Sequence, residues 1–180
     1  NTPLADFDVQ VSAPSLVGIQ FRRLGGGAPD SGSGTNVLAY GENVALDAVV
    51  GGQCANTYQW WHNGVPLPGE TNATLTVSNA VPGLSGRYWV GVTNELGGGA
   101  GAATYLVVPP PVVQLANPRV VTNTFQATFS GLPVGAEFVV ESSSDLLQWQ
   151  AVATNTASTA EFSFEATASG NGRFYRAVLR

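Results

Sequence analysis

At 180 residues, with 44% hydrophobic but only 11% charged side chains, the chain has apolar surface for two small cores and is far less charged than an ordinary soluble domain. Seven basic groups against twelve acidic ones leave a net charge of -5, which excludes a binder that tracks nucleic-acid phosphates. No run approaches the ~20 apolar residues of a membrane helix, and a single cysteine, Cys54, excludes an intrachain disulfide.

Every basic residue is arginine. Without lysine the chain can form no Lys–Asn isopeptide cross-link, and its sheet edges lack a common gatekeeper. Uncharged Thr, Ser, Asn and Gly fill the polar positions, a composition that suits an exported β-protein. Methionine is absent, so Asn1 is read as the product of leader removal rather than a translation start.

The first expected element lies within residues 1–13. Phe7, Val9 and Val11 alternate with Asp6, Asp8, Gln10 and Ser12, the pattern of a half-buried strand, and Pro3 and Pro14 bracket it. Residues 16–24 read as a second strand, and residues 25–34, rich in Gly and Ser, as a long loop. Residues 37–40 resume extended structure. Residues 42–50 alternate through Val44, Leu46 and Ala48, and residues 58–62 form a strand that turns at Asn63-Gly64, a strong hairpin dipeptide. Leu75 and Val77 mark another strand. Tyr88, Val90 and Val92 point inward from the next, a Gly-rich turn runs from Asn94 through Gly101, and residues 103–108 close the domain.

Pro109-Pro110-Pro111 is a stiff polyproline spacer that marks a boundary. Beyond it, residues 125–129, 137–141, 149–152, 161–164 and 174–178 read as strands. Gly131, Pro133, Gly135, Asp145 and the Gly170-Asn171-Gly172 cluster supply turns. No stretch has a helical period, so the chain is expected to be all-β.

Tyr58-Gln59-Trp60-Trp61-His62-Asn63-Gly64 and its continuation to Gly69, with Ala73 to Val77 and Gly86 to Asn94, resemble bacterial immunoglobulin-like domains across residues 37–108. The resemblance implies a core tryptophan at Trp60 and a tyrosine corner at Tyr88. It also places Ala48 and Val90 where an antibody-like domain carries its two bridged cysteines. Leu84 stands where the pattern has an aspartate. Val140 to Trp149 and Arg173 to Ala177 resemble the small carboxy-terminal sandwich of bacterial exported proteins, related in shape to fibronectin type III, which implies that Arg180 is near a natural terminus.

The expected fold class is therefore all-β with two tandem β-sandwich domains. An immunoglobulin-like sandwich spans 14–108 and a fibronectin type III-like sandwich 112–180, joined by the linker 109–111 and preceded by an extra N-terminal strand in 1–13. A bridge from position 48 to 90 would close a loop of about forty residues, worth ~4 kcal/mol in the chain-entropy reckoning. Packing of Trp60 between Ala48 and Val90 offsets part of that, and contact with neighbouring molecules is a further source.

No residue pattern points to catalysis. His62 stands alone, with no Cys or carboxylate at ligand spacing, and no Gly-x-Ser-x-Gly elbow is present. Asp6 and Asp8 sit in strand alternation rather than a calcium-binding turn. Cys54 reads as a thiol tucked under a loop, with an intermolecular disulfide as the other reading. Asn72-Ala73-Thr74 is a formal glycosylation sequon. No metal or cofactor is expected.

The candidate partner-binding residues are Phe7, Val9, Val11, Trp61 and Trp89. Trp61, Trp89 and Tyr40 are the aromatics expected to face outward, with the two tryptophans side by side on adjacent strands. They serve either as a protein contact or as a sugar-stacking platform, and protein contact is favoured because flanking planar polar groups are not evident. Phe7, Val9 and Val11 either fill an open sheet edge of another subunit or pair within their own chain. Both resemblances imply adhesive, spacer or scaffold modules without enzyme activity. The functional expectation is a secreted, cell-surface structural or adhesive protein. It assembles head to tail into a filament by strand complementation; the alternative is an accessory carbohydrate-binding module.

Overall fold

Among the described residues every regular element is a strand, apart from one 3-10 turn at Pro82–Leu84. The computed structural model describes residues 13–25, 34–51, 55–97, 100–168 and 172–180. The expected strand carrying Phe7, Val9 and Val11, most of the loop at 25–34, and Cys54 lie outside them. The chain divides into two compact units, Asn1–Pro109 and Pro110–Arg180.

The first unit contains β1 (Ser15–Arg23), β2 (Thr35–Val37), β3 (Val44–Gly51), β4 (Thr57–His62), β5 (Val65–Pro66), β6 (Thr74–Val77), β7 (Gly86–Thr93) and β8 (Ala100–Val107). One sheet has the order β1-β3-β6, the other β2-β8-β7-β4-β5. All pairings are antiparallel except β2 with β8, which run parallel. The inward rows of both sheets meet in one core that includes Phe21, Leu46, Trp60, Leu75, Val90 and Leu106. This is an immunoglobulin-type sandwich. Extended structure after the loop stops at Val37, because the chain turns at Tyr40-Gly41, where Gly41 has φ 78° and its N–H donates to the Ala80 carbonyl at 2.7 Å.

Trp60 is wholly buried, and its indole N–H donates to the Asn72 carbonyl at 2.9 Å. Val90 belongs to the same core and Ala48 packs against it, so carbon fills the place of the sulfur bridge. The Tyr88 hydroxyl donates to the Leu84 carbonyl at 2.9 Å, closing the tyrosine corner without the aspartate. Burial pushes that phenol up to about 12. Asn63 and Gly64, with φ of 50° and 84°, make the left-handed pair that a two-residue hairpin needs.

The second unit contains β9 (Gln114–Val121), β10 (Thr124–Ser130), β11 (Glu137–Ser143), β12 (Gln150–Thr156), β13 (Glu161–Thr167) and β14 (Phe174–Leu179). Its sheets have the orders β9-β10-β13 and β12-β11-β14, and every pairing is antiparallel. Phe129, Leu132, Phe138, Val140, Ala157 and Phe164 form a fully buried centre.

Two elements here depart from expectation. β9 is absent from the sequence reading because Asn117-Pro118 interrupts its alternation. The strand absorbs them as a bulge: Arg119 pairs with Gln126 and Ala116 with Thr128, leaving both residues opposite Ala127, with Asn117 at φ 51°. Trp149, expected as the first residue of a strand, stands before β12. Asp145 holds the chain in a turn by accepting N–H bonds from Leu147 and Gln148 at 2.8 and 2.9 Å, and the Trp149 indole N–H donates to the Leu146 carbonyl.

Candidate functional site

The site begins with strand register. Trp61 on β4 lies directly opposite Trp89 on β7, and one rung of the sheet reads Ala103, Trp89, Trp61, Pro66 across β8, β7, β4 and β5. Side chains alternate, so with Trp60 and Val90 in the core the two tryptophans share the outer face. Their ring centroids are 4.2 Å apart at an interplanar angle of 49°. The expected adjacency of Trp61 and Trp89 is thus present.

The neighbouring rung explains how the rings lie. Gly91 on β7 pairs with Gly101 on β8, leaving bare backbone beside the indoles. A Cβ on Gly101 would sit 2.7 Å from Cε2 of Trp89, and one on Gly91 would sit 3.1 Å from Cζ3 of Trp61. The glycines therefore form a floor on which the rings rest. Gly101, expected in a turn, belongs to β8 for this reason.

Above that floor is an open groove of 380 Å³ whose outward lining includes Thr57, Gln59, Trp61, Trp89 and Thr93. The two threonine hydroxyls hydrogen-bond to each other at 2.7 Å. The Gln59 amide is committed, donating to the carbonyls of Trp60 and Leu67, both at 2.9 Å. It does not supply the flat polar flank of a sugar platform. Neither outer indole N–H has a protein acceptor among the described residues. Among the described residues no carboxylate, imidazole or amine lines the groove.

Beyond Arg87, which lies opposite Tyr105, further apolar side chains stand on the same face. Tyr105 and Val107 on β8 and their register partner side, Val37 on β2, are all exposed. Sequence reasoning missed this extension and the two glycines. Their signal was present as small or apolar residues at outward positions, hidden by uncertain strand boundaries. Tyr40, expected to face outward with the tryptophans, is half-buried in the turn after β2 and belongs to no strand.

The other candidates have structural roles. His62 stacks on Tyr88 with centroids 4.5 Å apart, and its Nε2 donates to the Ser85 carbonyl at 3.2 Å. On the second unit Arg119 donates to Gln126, which donates to Glu165, a satisfied polar ladder across β9, β10 and β13. Among the described residues no group of three His, Cys, Asp or Glu could hold a metal ion. Among them, too, no helix is long and apolar enough to cross a membrane.

No protein-family model matches the chain. It is similar to titin domain M4 in a trigonal form, at 23% identity and TM-score 0.43, over 56% of this chain and 99% of that one. It is also similar to titin A168169, at 15% identity and TM-score 0.43, over 93% and 97%. A third likeness is to the N-terminal eight Ig domains of Down Syndrome Cell Adhesion Molecule, at 20% identity and TM-score 0.41, over 59% and 17%. Identity at this level says nothing of a shared ligand or partner.

Proposed function

We infer that the protein is a non-catalytic extracellular structural or adhesive protein, the subunit of a cell-surface filament whose copies join by β-strand complementation. In this reading residues 1–13 form an extension strand, 14–108 and 112–180 two functional sandwiches, and 109–111 their linker. The observation that supports it best is the rung of Trp61 and Trp89 on an open sheet face, with exposed Val37, Tyr105 and Val107 further along the same face beyond Arg87. Large aromatics at the centre of an apolar patch are what protein contacts use as anchors. Paired with Trp61→Ala, the Trp89→Ala change should abolish association in sedimentation velocity and fibres in electron microscopy while leaving the melting temperature within a few degrees. Unchanged assembly in the double variant refutes the contact role.

A glycan is the second reading, favoured by the indole N–H groups of Trp61 and Trp89, which have no acceptor among the described residues, beside the Thr57 and Thr93 hydroxyls. The Gln59 amide opposes it, because its NH2 is already committed to the Trp60 and Leu67 carbonyls and supplies no polar flank to a sugar. Binding to a glycan array that disappears with Trp61→Ala, in a protein that stays monomeric, would select this reading.

A further inference from the structure

In the first unit β7 is flanked on both edges, by β4 and β8, and its inward row of Tyr88, Val90 and Val92 is sealed at 2%, 0% and 0% exposure. β14 holds the corresponding place in the second unit, beside β11 as β7 is beside β4. Among the described residues it has a neighbour on that one edge only. Its inward row, Tyr175, Ala177 and Leu179, packs against the core and yet stays half-buried. Phe125, which stacks on Tyr175 with centroids 4.7 Å apart, is half-buried too. The core is short of cover along this edge.

The backbone agrees. Arg180 N–H donates to the Glu137 carbonyl at 3.0 Å, so the alternation of an antiparallel ladder directs the N–H and C=O groups of Phe174, Arg176 and Val178 toward β11. Those of Tyr175, Ala177 and Leu179 point the opposite way, where no described strand receives them. No proline or lysine interrupts β14, and its register with β11 is free of bulges. Such an edge is a template for another strand.

We propose that this edge takes residues 6–11 of a second copy of the chain as an added strand, which rests on the assembly reading above and names its acceptor. Phe7, Val9 and Val11 have the period-two spacing that sets them on the face of Tyr175, Ala177 and Leu179. Asp6 and Asp8 then fall on the outer face, the face of Arg176 and Arg180. Charge complementarity supports the pairing. The first twenty-one residues hold two acidic side chains and no basic one, whereas three of the seven arginines lie on or beside β14: Arg173 before it, Arg180 after it, and Arg176, paired with Glu141 at 2.8 Å yet half exposed. A contact between the N-terminal segment of one copy and the second unit of the next is heterologous, so it repeats into an open filament.

The test uses the chain lacking residues 1–13, which keeps all fourteen strands, and a synthetic peptide of residues 4–13. Hydrogen exchange should slow by at least about tenfold at Tyr175, Ala177 and Leu179 when the peptide is added. An Ala177→Pro variant, which removes an outward N–H and leaves the β11 ladder intact, should lose that binding. A peptide with Asp6→Arg and Asp8→Arg should bind more weakly, and it tests the contact on an unmodified acceptor should the proline variant fail to fold. Polymer formed by the full chain while the peptide leaves those three amides unprotected overturns this acceptor and leaves assembly standing. A full chain that protects them as a monomer overturns the second copy as the occupant. A full chain that stays monomeric with these amides unprotected overturns both readings.

Discussion

Tyr88→Phe removes one oxygen atom from the core of the first unit and makes a prediction with two signs. At neutral pH the variant loses the bond from the hydroxyl to the Leu84 carbonyl, 2.9 Å long and buried, which is worth about 1 kcal/mol. Alkaline pH works the other way. The phenol is raised by burial to about 12 in the folded chain, while its unfolded value is the ordinary one near 10. Between those values the unfolded state has released its proton and the folded state has not, so stability falls as pH rises. The full span corresponds to roughly 2 to 3 kcal/mol, at about 1.4 kcal/mol for each unit.

The Tyr88→Phe variant has no proton to lose there. Its disadvantage should shrink above pH 10 and vanish before the folded value is reached, where the linkage term equals one hydrogen bond. Urea titrations of both proteins between pH 7 and 11 measure this, with every other titrating group cancelling in the difference. Three of the four tryptophans, Trp60, Trp61 and Trp89, lie in the first unit, so fluorescence follows the relevant transition. A stability gap that stays constant from pH 7 to 11 refutes the argument.

Trp60→Phe should cost the first unit about 2 to 3 kcal/mol, through lost volume in a sealed site and an orphaned Asn72 carbonyl, read from the same urea transition. Gly131→Ala should destabilise the second unit by at least about 2 kcal/mol, since Gly131 has φ 79° and its Cβ would press on the Val112 carbonyl; calorimetry gives the shift. Asp145 is held below the usual carboxylate range by the N–H groups of Gln148 and Leu147 and the Ser143 hydroxyl. Its folded value is the lower one, so the support it gives the turn is present above the ordinary carboxylate range and is lost on acidification. Amide exchange at Leu147 and Gln148 should accelerate there, and Asp145→Ala should remove the pH dependence.

Much of the first unit was legible because large apolar residues at period two leave few alternatives. Val44, Leu46, Trp60, Tyr88 and Val90 can share one core only if their strands fall where they do, and Asn63-Gly64 dictates its hairpin. β9 was hidden because Asn117-Pro118 is the residue pair that ordinarily ends a strand, and only the partner strand reveals a bulge. Trp149 was drawn into a strand by its apolarity, while the side-chain hydrogen bonds of Asp145 settled the matter locally. The pairing of Trp61 with Trp89 followed from strand adjacency. The glycine floor did not, because Gly101 closes a Gly-rich stretch that reads as a loop until Gly91 is placed opposite it.

The parallel pairing of β2 with β8 has a mechanical consequence. β2 leads in from the N-terminal side of the first unit, and β8 leads out toward Pro109. Once tension between the ends has drawn β1 off β3, it pulls β2 and β8 past each other along their axes. The bonds between them, among them Leu38 N–H to the Val107 carbonyl at 2.9 Å and Tyr105 N–H to the Gly34 carbonyl at 3.1 Å, then share the load instead of opening one at a time. Once they yield, no covalent link between Ala48 and Val90 stops the chain from paying out, so this sandwich resists stretching as a brittle latch and afterwards extends without a tether.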